Sequence, residues 1–157
     1  MILSYFEKIM NRSRKNTKNH TAILHAIEKR CGKIFKDHPI SAAYIFGSTA
    51  METRSQESDV DIAVLLDKRL SKKARFALRL KLMEKIARAL KKEADVVVLN
   101  DVASLFFKYV IISEGKVVYQ KDESERADFE CRLMGIYFDY QPFLELYNDN
   151  YVKTHAK

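Results

Sequence analysis

Residues 45–66 read IFGSTAMETRSQESDVDIAVLL, and the interpretation of the whole chain starts from them. The stretch contains Gly47-Ser48, then ten residues, then Asp59-Val60-Asp61 at the start of an apolar run. Such a run predicts a strand, in which side chains alternate between faces, so Asp59 and Asp61 share one face about 6–7 Å apart. Neighbouring carboxylates repel each other unless a cation lies between them. Oxygen ligands of this kind suit Mg²⁺, which completes its coordination with water and substrate phosphates.

The Gly47-Ser48 pair has the features that a phosphate site needs. A glycine lets backbone N–H groups approach a phosphate closely, and a serine at the start of a helical turn adds a hydroxyl near the positive end of the helix dipole. For an isolated pair of acids, a tight turn followed by an exposed strand edge would be the simpler explanation. The joint occurrence of all four residues at this spacing favours a site for a metal and a nucleotide phosphate.

The pattern G-S-x10-D-x-D resembles the signature of the polymerase-β-like nucleotidyltransferases, and the compact chain is similar to their minimal nucleotidyltransferase (MNT) group. The resemblance implies an α/β (α+β) fold, with a small mixed sheet flanked by helices and a C-terminal helix. It also implies a third carboxylate on a neighbouring strand, which Asp95 in the run ADVVV matches. The catalytic and metal-binding residues implied in this way are Asp59, Asp61 and Asp95, and the nucleotide-binding residues are Gly47, Ser48 and Arg54.

A site of this kind transfers a nucleotidyl group with two Mg²⁺ ions about 3.5–4 Å apart. We expect one ion, bridged by Asp59 and Asp61, to hold the β and γ phosphates of ATP and to stabilise the leaving pyrophosphate. The other ion, shared with Asp95, would lower the pKa of the attacking hydroxyl, whose proton Asp95 could accept. Ser48 and the backbone N–H groups after Gly47 would hold the terminal phosphates, so catalysis would rest on positioning and preorganised charge.

Residues 96–122, VVVLNDVASLFFKYVIISEGKVVYQKD, resemble the second half of MNT antitoxins, which pair with HEPN-domain toxins. The resemblance implies a cytoplasmic antitoxin that transfers AMP from ATP to a tyrosine of the HEPN ribonuclease, in a hetero-oligomer of the two proteins. The family pattern continues as G-S-x-A-R-G, whereas Met51 and Glu52 stand here in place of its Arg and Gly. Arg54 would replace that arginine only in part, so we expect a lowered catalytic efficiency.

Two other functions stay open on the sequence. A non-catalytic antitoxin would neutralise the toxin by binding alone, through its fold and a tyrosine-rich terminal helix. A small-molecule nucleotidyltransferase would need an extra substrate domain, and the residues that follow Asp95 are too few for one. Three converging acids favour catalysis over binding alone.

The composition predicts one globular domain with a basic extension. The chain has 157 residues and a net charge of +7, and residues 1–36 hold nine Lys and Arg against two Glu. We interpret residues 1–18 as a basic extension, which is either a solvated tail or a weak site for nucleic acid or an acidic partner, and residues 19–157 as a single domain. No apolar run approaches the ~20 residues that span a membrane. Cys31 and Cys131 lack metal-site spacing, so we expect a pair of buried thiols in a reducing cytoplasm rather than a disulfide.

Hydrophobic periodicity predicts the remaining elements. Helices are expected over residues 19–37, 70–92 and 100–112, and strands over residues 40–46, 59–66, 94–99 and 116–120. The helix over 70–92 should bury a stripe of apolar residues, namely Phe76, Leu80, Met83, Ile86 and Leu90.

The last two helices carry their own signals. Asn100 or Asp101 is expected to cap the helix that ends near residue 112. A final helical segment, over about residues 122–152, should open on a capping box at Asp122, and Pro142 should kink or restart it. Its aromatic residues at helical spacing either pack on the sheet or dock a partner.

Overall fold

The computed structural model describes residues 17–47 and 59–155. In chain order the elements are α1 (Thr17–Lys36), β1 (Ile40–Phe46), β2 (Val60–Leu66), α2 (Lys72–Leu90), β3 (Ala94–Val98), α3 (Leu105–Glu114), β4 (Lys116–Gln120) and α4 (Glu123–His155). The strands form one mixed sheet in the order β3-β2-β1-β4. β1 is antiparallel to both β2 and β4, whereas β2 and β3 are parallel. The predicted mixed sheet with flanking helices and a C-terminal helix is confirmed.

Helices cover both faces of the sheet. On one face α1 and α2 pack around a core that includes Phe35 and Ile86. On the other face α3 and α4 supply Ile111 and Leu133 to a second core. Because side chains alternate along a strand, each central strand contributes to both cores. The face covered by α3 and α4 is also the one that carries Asp61, since Asp61 and the buried Ala63 are two residues apart on β2.

α2 buries a different stripe from the predicted one. Its buried residues are Leu82, Ile86 and Leu90, whereas Phe76 and Leu80 are 58% and 51% exposed. The prediction was therefore wrong for Phe76 and Leu80. The orientation of the helix brings Arg75 and Arg79 to neighbouring elements, where they pair with Asp101 and Asp95.

α3 begins later than the sequence predicts. Its N-cap is Ser104, whose hydroxyl accepts a hydrogen bond from the Phe107 N–H at 3.1 Å. Asn100 bonds the backbone of Leu66 in both directions, at 2.9 Å each. Asp101 pairs with Arg75, and the hydrogen bonds from that guanidinium hold the pKa of Asp101 below its usual range. Both predicted caps therefore attach the turn after β3 to other elements.

α4 is one continuous helix although Pro142 lies inside it, so a restart at that residue is wrong. Half of the predicted capping box is present, because the Glu125 N–H donates to Asp122 Oδ1 at 2.8 Å. The Glu125 side chain accepts instead from the Ser41 hydroxyl at 3.3 Å. The first part of the helix is held to the sheet by the buried Tyr44, whose hydroxyl donates to Glu130 Oε1 at 2.9 Å. Burial, together with this bond, raises the pKa of Tyr44 well above its usual range.

The apolar stripe of α4 continues beyond the part that is packed. Leu133 is buried, but Ile136, Tyr140 and Phe143, which follow at spacings of three and four residues, are all more than half exposed. We call these three residues the distal face of α4. Of the two predicted uses of the terminal helix, packing on the sheet therefore applies to its first part and leaves the distal face uncovered by the described chain.

Several predictions fall on other parts of the chain. Residues 1–16 of the basic extension and the helical turn expected after Gly47 lie outside the described residues. Residues 17 and 18 belong to α1, and the division at residue 18 stays a prediction. Cys31 and Cys131 are both free thiols, but Cys131 is exposed, so the predicted burial is wrong for it. Cys31 is buried, and burial raises the pKa of its thiol to about 11. Within the described ranges, no helix combines the length and the apolar character needed to cross a membrane.

Candidate active site

The strand register places two of the predicted acids side by side. Asp61 on β2 is the direct partner of Asp95 on β3. Directly paired residues of adjacent strands point to the same face of a sheet. The register therefore places these two carboxylates on one face of the sheet, which the sequence had left open. Asp61 is half-buried, whereas Asp95 is exposed near the start of the outermost strand on that side.

Asp59 lies immediately before β2, two positions from Asp61, and is exposed. Its place in the chain brings a further carboxylate to the same end of the sheet as Asp61 and Asp95. Among the described residues, no three His, Cys, Asp or Glu side chains are grouped closely enough to hold a metal ion. The three acids thus share one end of the sheet without forming a closed cluster.

Gly47 approaches Asp61 more closely than any other amino acid would allow. It directly follows β1, whose last residue, Phe46, is paired with Asp61. Its φ angle of 67° lies in the left-handed region. A Cβ atom at this position would lie 2.6 Å from Asp61 Oδ2. The sequence predicted this glycine for contact with a phosphate, and the structure adds a second reason, since the turn must leave room for the carboxylate.

The two other predicted nucleotide-binding residues, Ser48 and Arg54, lie outside the described residues. Met51 and Glu52 do as well, so the effect of the changed family pattern stays a prediction. Gly47 is the part of the predicted phosphate site that the structure places, and it lies against Asp61.

One residue beside the site was not singled out from the sequence. Arg79 on α2 reaches the edge of the sheet, where its Nη2 lies 3.3 Å from Asp95 Oδ1. Its Nε donates to the backbone oxygen of Val96 at 2.6 Å. The sequence showed Arg79 as one of many basic residues on that helix, and only its position opposite β3 distinguishes it.

An aromatic pair borders the acids on the same face of the sheet. Phe46, the pairing partner of Asp61, meets Phe107 of α3 edge to face, with ring centroids 5.8 Å apart. Phe107 is 38% exposed, so one side of this pair remains open to solvent. Aromatic rings next to carboxylates lower the local polarity and strengthen electrostatic contacts there.

The donor set at this end of the sheet fits a hard divalent cation. Carboxylate oxygens are the ligands that Mg²⁺ prefers, and Asp61 and Asp95 are already neighbours across two strands. A Cβ atom on Gly47 would lie 2.6 Å from Asp61 Oδ2, so the first residue of the predicted phosphate-binding turn lies against one of these acids. The arrangement can therefore bring a phosphate-binding turn and metal-binding acids together.

Comparisons with known proteins agree with this geometry. The chain matches the family described as Polymerase beta, Nucleotidyltransferase, over residues 29–124. It is similar to the protein adenylyltransferase MntA of Shewanella oneidensis, with 28% identity over 112 residues, which is 70% of this chain and 76% of that protein.

Solved structures give the same result. A crystal structure of a toxin–antitoxin with AMP-PNP contains a chain 27% identical to this one, with a TM-score of 0.65 over 80% of this chain and 98% of that chain. The fold also matches a chain, 24% identical with a TM-score of 0.62, in a structure of a tri-AMPylated Shewanella oneidensis HEPN toxin with its MNT antitoxin, over 82% of this chain and 98% of that one. Because the family match covers more than half of its length, this chain belongs to the polymerase beta nucleotidyltransferase family.

Proposed function

We propose that this protein is a Mg²⁺-dependent protein adenylyltransferase that acts as the antitoxin of a HEPN toxin. It would transfer AMP from ATP to a tyrosine of that toxin. The observation that carries the proposal is the pairing of Asp61 with Asp95 beside Gly47, within a fold of the nucleotidyltransferase family. The similarity to MntA, a protein adenylyltransferase, supports a protein as the acceptor. The AMP-PNP in the related toxin–antitoxin structure supports ATP as the donor.

The reaction exchanges one phosphorus–oxygen bond for another. The tyrosine hydroxyl oxygen forms a bond to the α-phosphorus of ATP, and the bond from that phosphorus to the β-phosphate bridge breaks, which releases pyrophosphate. The hydroxyl proton passes to a base, for which Asp95 is our candidate. No electrons are exchanged, so the reaction needs no other co-substrate.

Asp59, Asp61 and Asp95 would hold two Mg²⁺ ions, whose contribution when bound is to neutralise phosphate charge and lower the pKa of the attacking hydroxyl. Gly47 leaves the backbone after β1 open to the terminal phosphates, and Ser48 would add its hydroxyl. The contribution of the protein is then to orient the reactants and to hold charge in place. Met51 and Glu52, in place of the family's Arg and Gly, predict slower transfer.

The partner would be the HEPN toxin encoded beside this chain, in a cytoplasmic hetero-oligomer. The related structures are complexes of a toxin with an antitoxin, which supports a stable assembly here too. The basic N-terminal extension would contribute at most weak binding of nucleic acid.

The experiment is to incubate the chain with its neighbouring HEPN protein, ATP and Mg²⁺, and to measure the intact mass of the HEPN protein. We expect the mass to rise by whole AMP groups, and the rise to disappear with Asp59→Asn or Asp61→Asn. Asp67→Asn is the matched control, because Asp67 directly follows the same strand at its opposite end and its side chain pairs with Arg69. This control should transfer AMP as the parent does.

A second function, neutralisation by binding alone, is favoured by the uncovered distal face of α4. It predicts that the toxin's ribonuclease activity is blocked by the Asp59→Asn and Asp61→Asn variants as well as by the parent. That result, without any gain in mass, would replace the catalytic proposal.

A further inference from the structure

Arg79 closes a ring of polar contacts at the outer edge of β3. Its Nε donates to the Val96 carbonyl oxygen at 2.6 Å, and its Nη2 lies 3.3 Å from Asp95 Oδ1. The same Oδ1 accepts the Val96 N–H at 2.8 Å. In the sheet that residues 17–47 and 59–155 form, β3 has a strand neighbour on one side alone, so backbone groups on its other side need partners. The side chains of Arg79 and Asp95 satisfy both polar groups of Val96.

Among the described residues, the hydrogen bonds and the ion pair of the Asp95 carboxylate fall on one of its oxygens. Oδ1 receives both the Val96 N–H and the Arg79 guanidinium. In the part of the chain that the structure describes, no residue donates a hydrogen bond to Oδ2. Two donors on one oxygen fix the rotation of a carboxylate, so the ring determines which oxygen is left for a ligand.

We propose that Arg79 is a positioning residue for Asp95, holding Oδ1 at the strand edge so that Oδ2 serves the metal or the attacking hydroxyl. This inference rests on the proposed function, in which Asp95 is the third carboxylate of the site. Groups that orient metal-binding side chains commonly change metal affinity or activity by about 10–100-fold when they are removed.

The role requires arginine rather than any cation. The planar guanidinium presents several N–H donors in a fixed geometry, so Nε and Nη2 can hold the Val96 oxygen and Asp95 Oδ1 at the same time. Lysine would keep the charge but offers a single nitrogen on a flexible stem. Comparing the two residues therefore separates orientation from charge.

A contribution to stability alone does not explain the arrangement well. The side chains of Arg79 and Asp95 are 37% and 52% exposed, and ion pairs with such exposure stabilise a fold little. The helix already contacts the sheet through its buried residues Leu82, Ile86 and Leu90.

The test measures Mn²⁺ binding to the full chain by electron paramagnetic resonance, without nucleotide or partner. We expect both Arg79→Lys and Arg79→Gln to weaken Mn²⁺ binding about tenfold. Arg88→Gln is the charge-matched control, since Arg88 lies on the same helix and pairs with the exposed Glu84. Its affinity for Mn²⁺ should equal that of the parent.

A double-mutant cycle shows whether Arg79 acts through Asp95. In an Asp95→Asn background, Arg79→Gln should cause no further loss of Mn²⁺ affinity. In AMP transfer, Arg79→Gln should raise the Mg²⁺ concentration needed for half-maximal rate, while the KM for the HEPN protein stays unchanged.

Three results would overturn the inference. Parent-like Mn²⁺ binding by Arg79→Lys would mean that charge, not orientation, matters. An equal loss in the Asp95→Asn background would place the effect of Arg79 elsewhere. Unchanged Mn²⁺ binding in both Arg79 variants would mean that Arg79 serves only to bond the exposed edge of β3. The Mn²⁺ measurement does not depend on AMP transfer, so a failure of the proposed function would be seen separately, as a parent chain that binds Mn²⁺ but adds no AMP.

Discussion

Gly47 lies against Asp61 at the candidate site, with no space for a Cβ atom between them. A methyl group on Gly47 would lie 2.6 Å from Asp61 Oδ2, in a turn whose φ angle of 67° already disfavours side chains. The atom that this methyl group would meet is the end of the half-buried Asp61 side chain, so the carboxylate would have to shift to make room. The position therefore couples the backbone at Gly47 directly to a predicted metal ligand.

Gly47→Ala should reduce AMP transfer about a hundredfold, because a displacement of about 1 Å at a reacting centre can cost that much. The left-handed backbone should also lower the free energy of unfolding by about 1–2 kcal/mol. Intact-mass time courses and urea denaturation measure the two effects.

Gly32→Ala is the matched control for that substitution. Gly32 lies inside α1, and a Cβ atom there would meet nothing within 4 Å. Alanine favours helix by up to about 1 kcal/mol over glycine, so this variant should be at least as stable as the parent and fully active. A Gly47→Ala protein with the parent's transfer rate would show that the approach to Asp61 is unimportant.

For individual residues, the acidic residues of the candidate site could be predicted from the sequence, whereas the residues that contact them could not. Asp59 and Asp61 were singled out by their spacing before an apolar run, and Asp95 by the resemblance to the nucleotidyltransferases. Arg79 could not be predicted, because it differs from the other basic residues of α2 solely by facing the edge of β3, which is a tertiary relation. Asn100 was assigned to a helix cap on local grounds, but two hydrogen bonds to Leu66 decide its place.

Among the elements, α2 shows where periodicity is insufficient. Apolar residues lie on more than one side of this helix, so more than one stripe satisfies a helical period. In the observed orientation, Arg75 pairs with Asp101 and Arg79 pairs with Asp95. Both partners lie outside α2, so the sequence pattern of the helix does not reveal them.

The observed orientation of α2 can be tested by comparing the same substitution at a buried and at an exposed leucine. Leu82→Ala removes a fully buried side chain and should lower the free energy of unfolding by about 2–5 kcal/mol. Leu80→Ala, which is the same substitution at a site 51% exposed, should lower it by less than about 1 kcal/mol. Chemical denaturation of both variants measures the difference, and equal losses would contradict the orientation described.

α4 departs from the rule for proline in a similar way. Proline removes the hydrogen bond to the carbonyl four residues earlier, which for Pro142 is that of Phe138. Phe138 is 53% exposed, so water can reach this part of the helix and bond the carbonyl instead. The helix therefore continues through Pro142, where a buried position would have favoured a break.

For the whole molecule, the mixed sheet was predicted from the resemblance to the nucleotidyltransferases, whose motif spans two strands and the turn between them. The sequence left open whether the strand register aligns Asp61 with Asp95, and the parallel pairing of β2 with β3 aligns them. The extent of cover over α4 was not predictable, because its apolar spacing is the same in the packed and uncovered parts. Whether a residue of this apolar stripe is buried depends on whether the sheet extends beneath it, and that is a tertiary relation.

The distal face of α4 has a consequence for how the protein behaves when it is purified alone. The three residues of the distal face, Ile136, Tyr140 and Phe143, form an exposed apolar patch. Exposed apolar patches favour self-association of a protein. In sedimentation velocity experiments, the mean sedimentation coefficient should increase with protein concentration. Phe143→Ser should suppress this increase. Cys131→Ser, which removes the exposed thiol of the same helix, should not suppress it, so cross-linking through that thiol can be told apart. A single monomeric species across the whole dilution series would mean that the distal face does not cause self-association. The protein could then be purified alone, without detergent or co-expression of a partner.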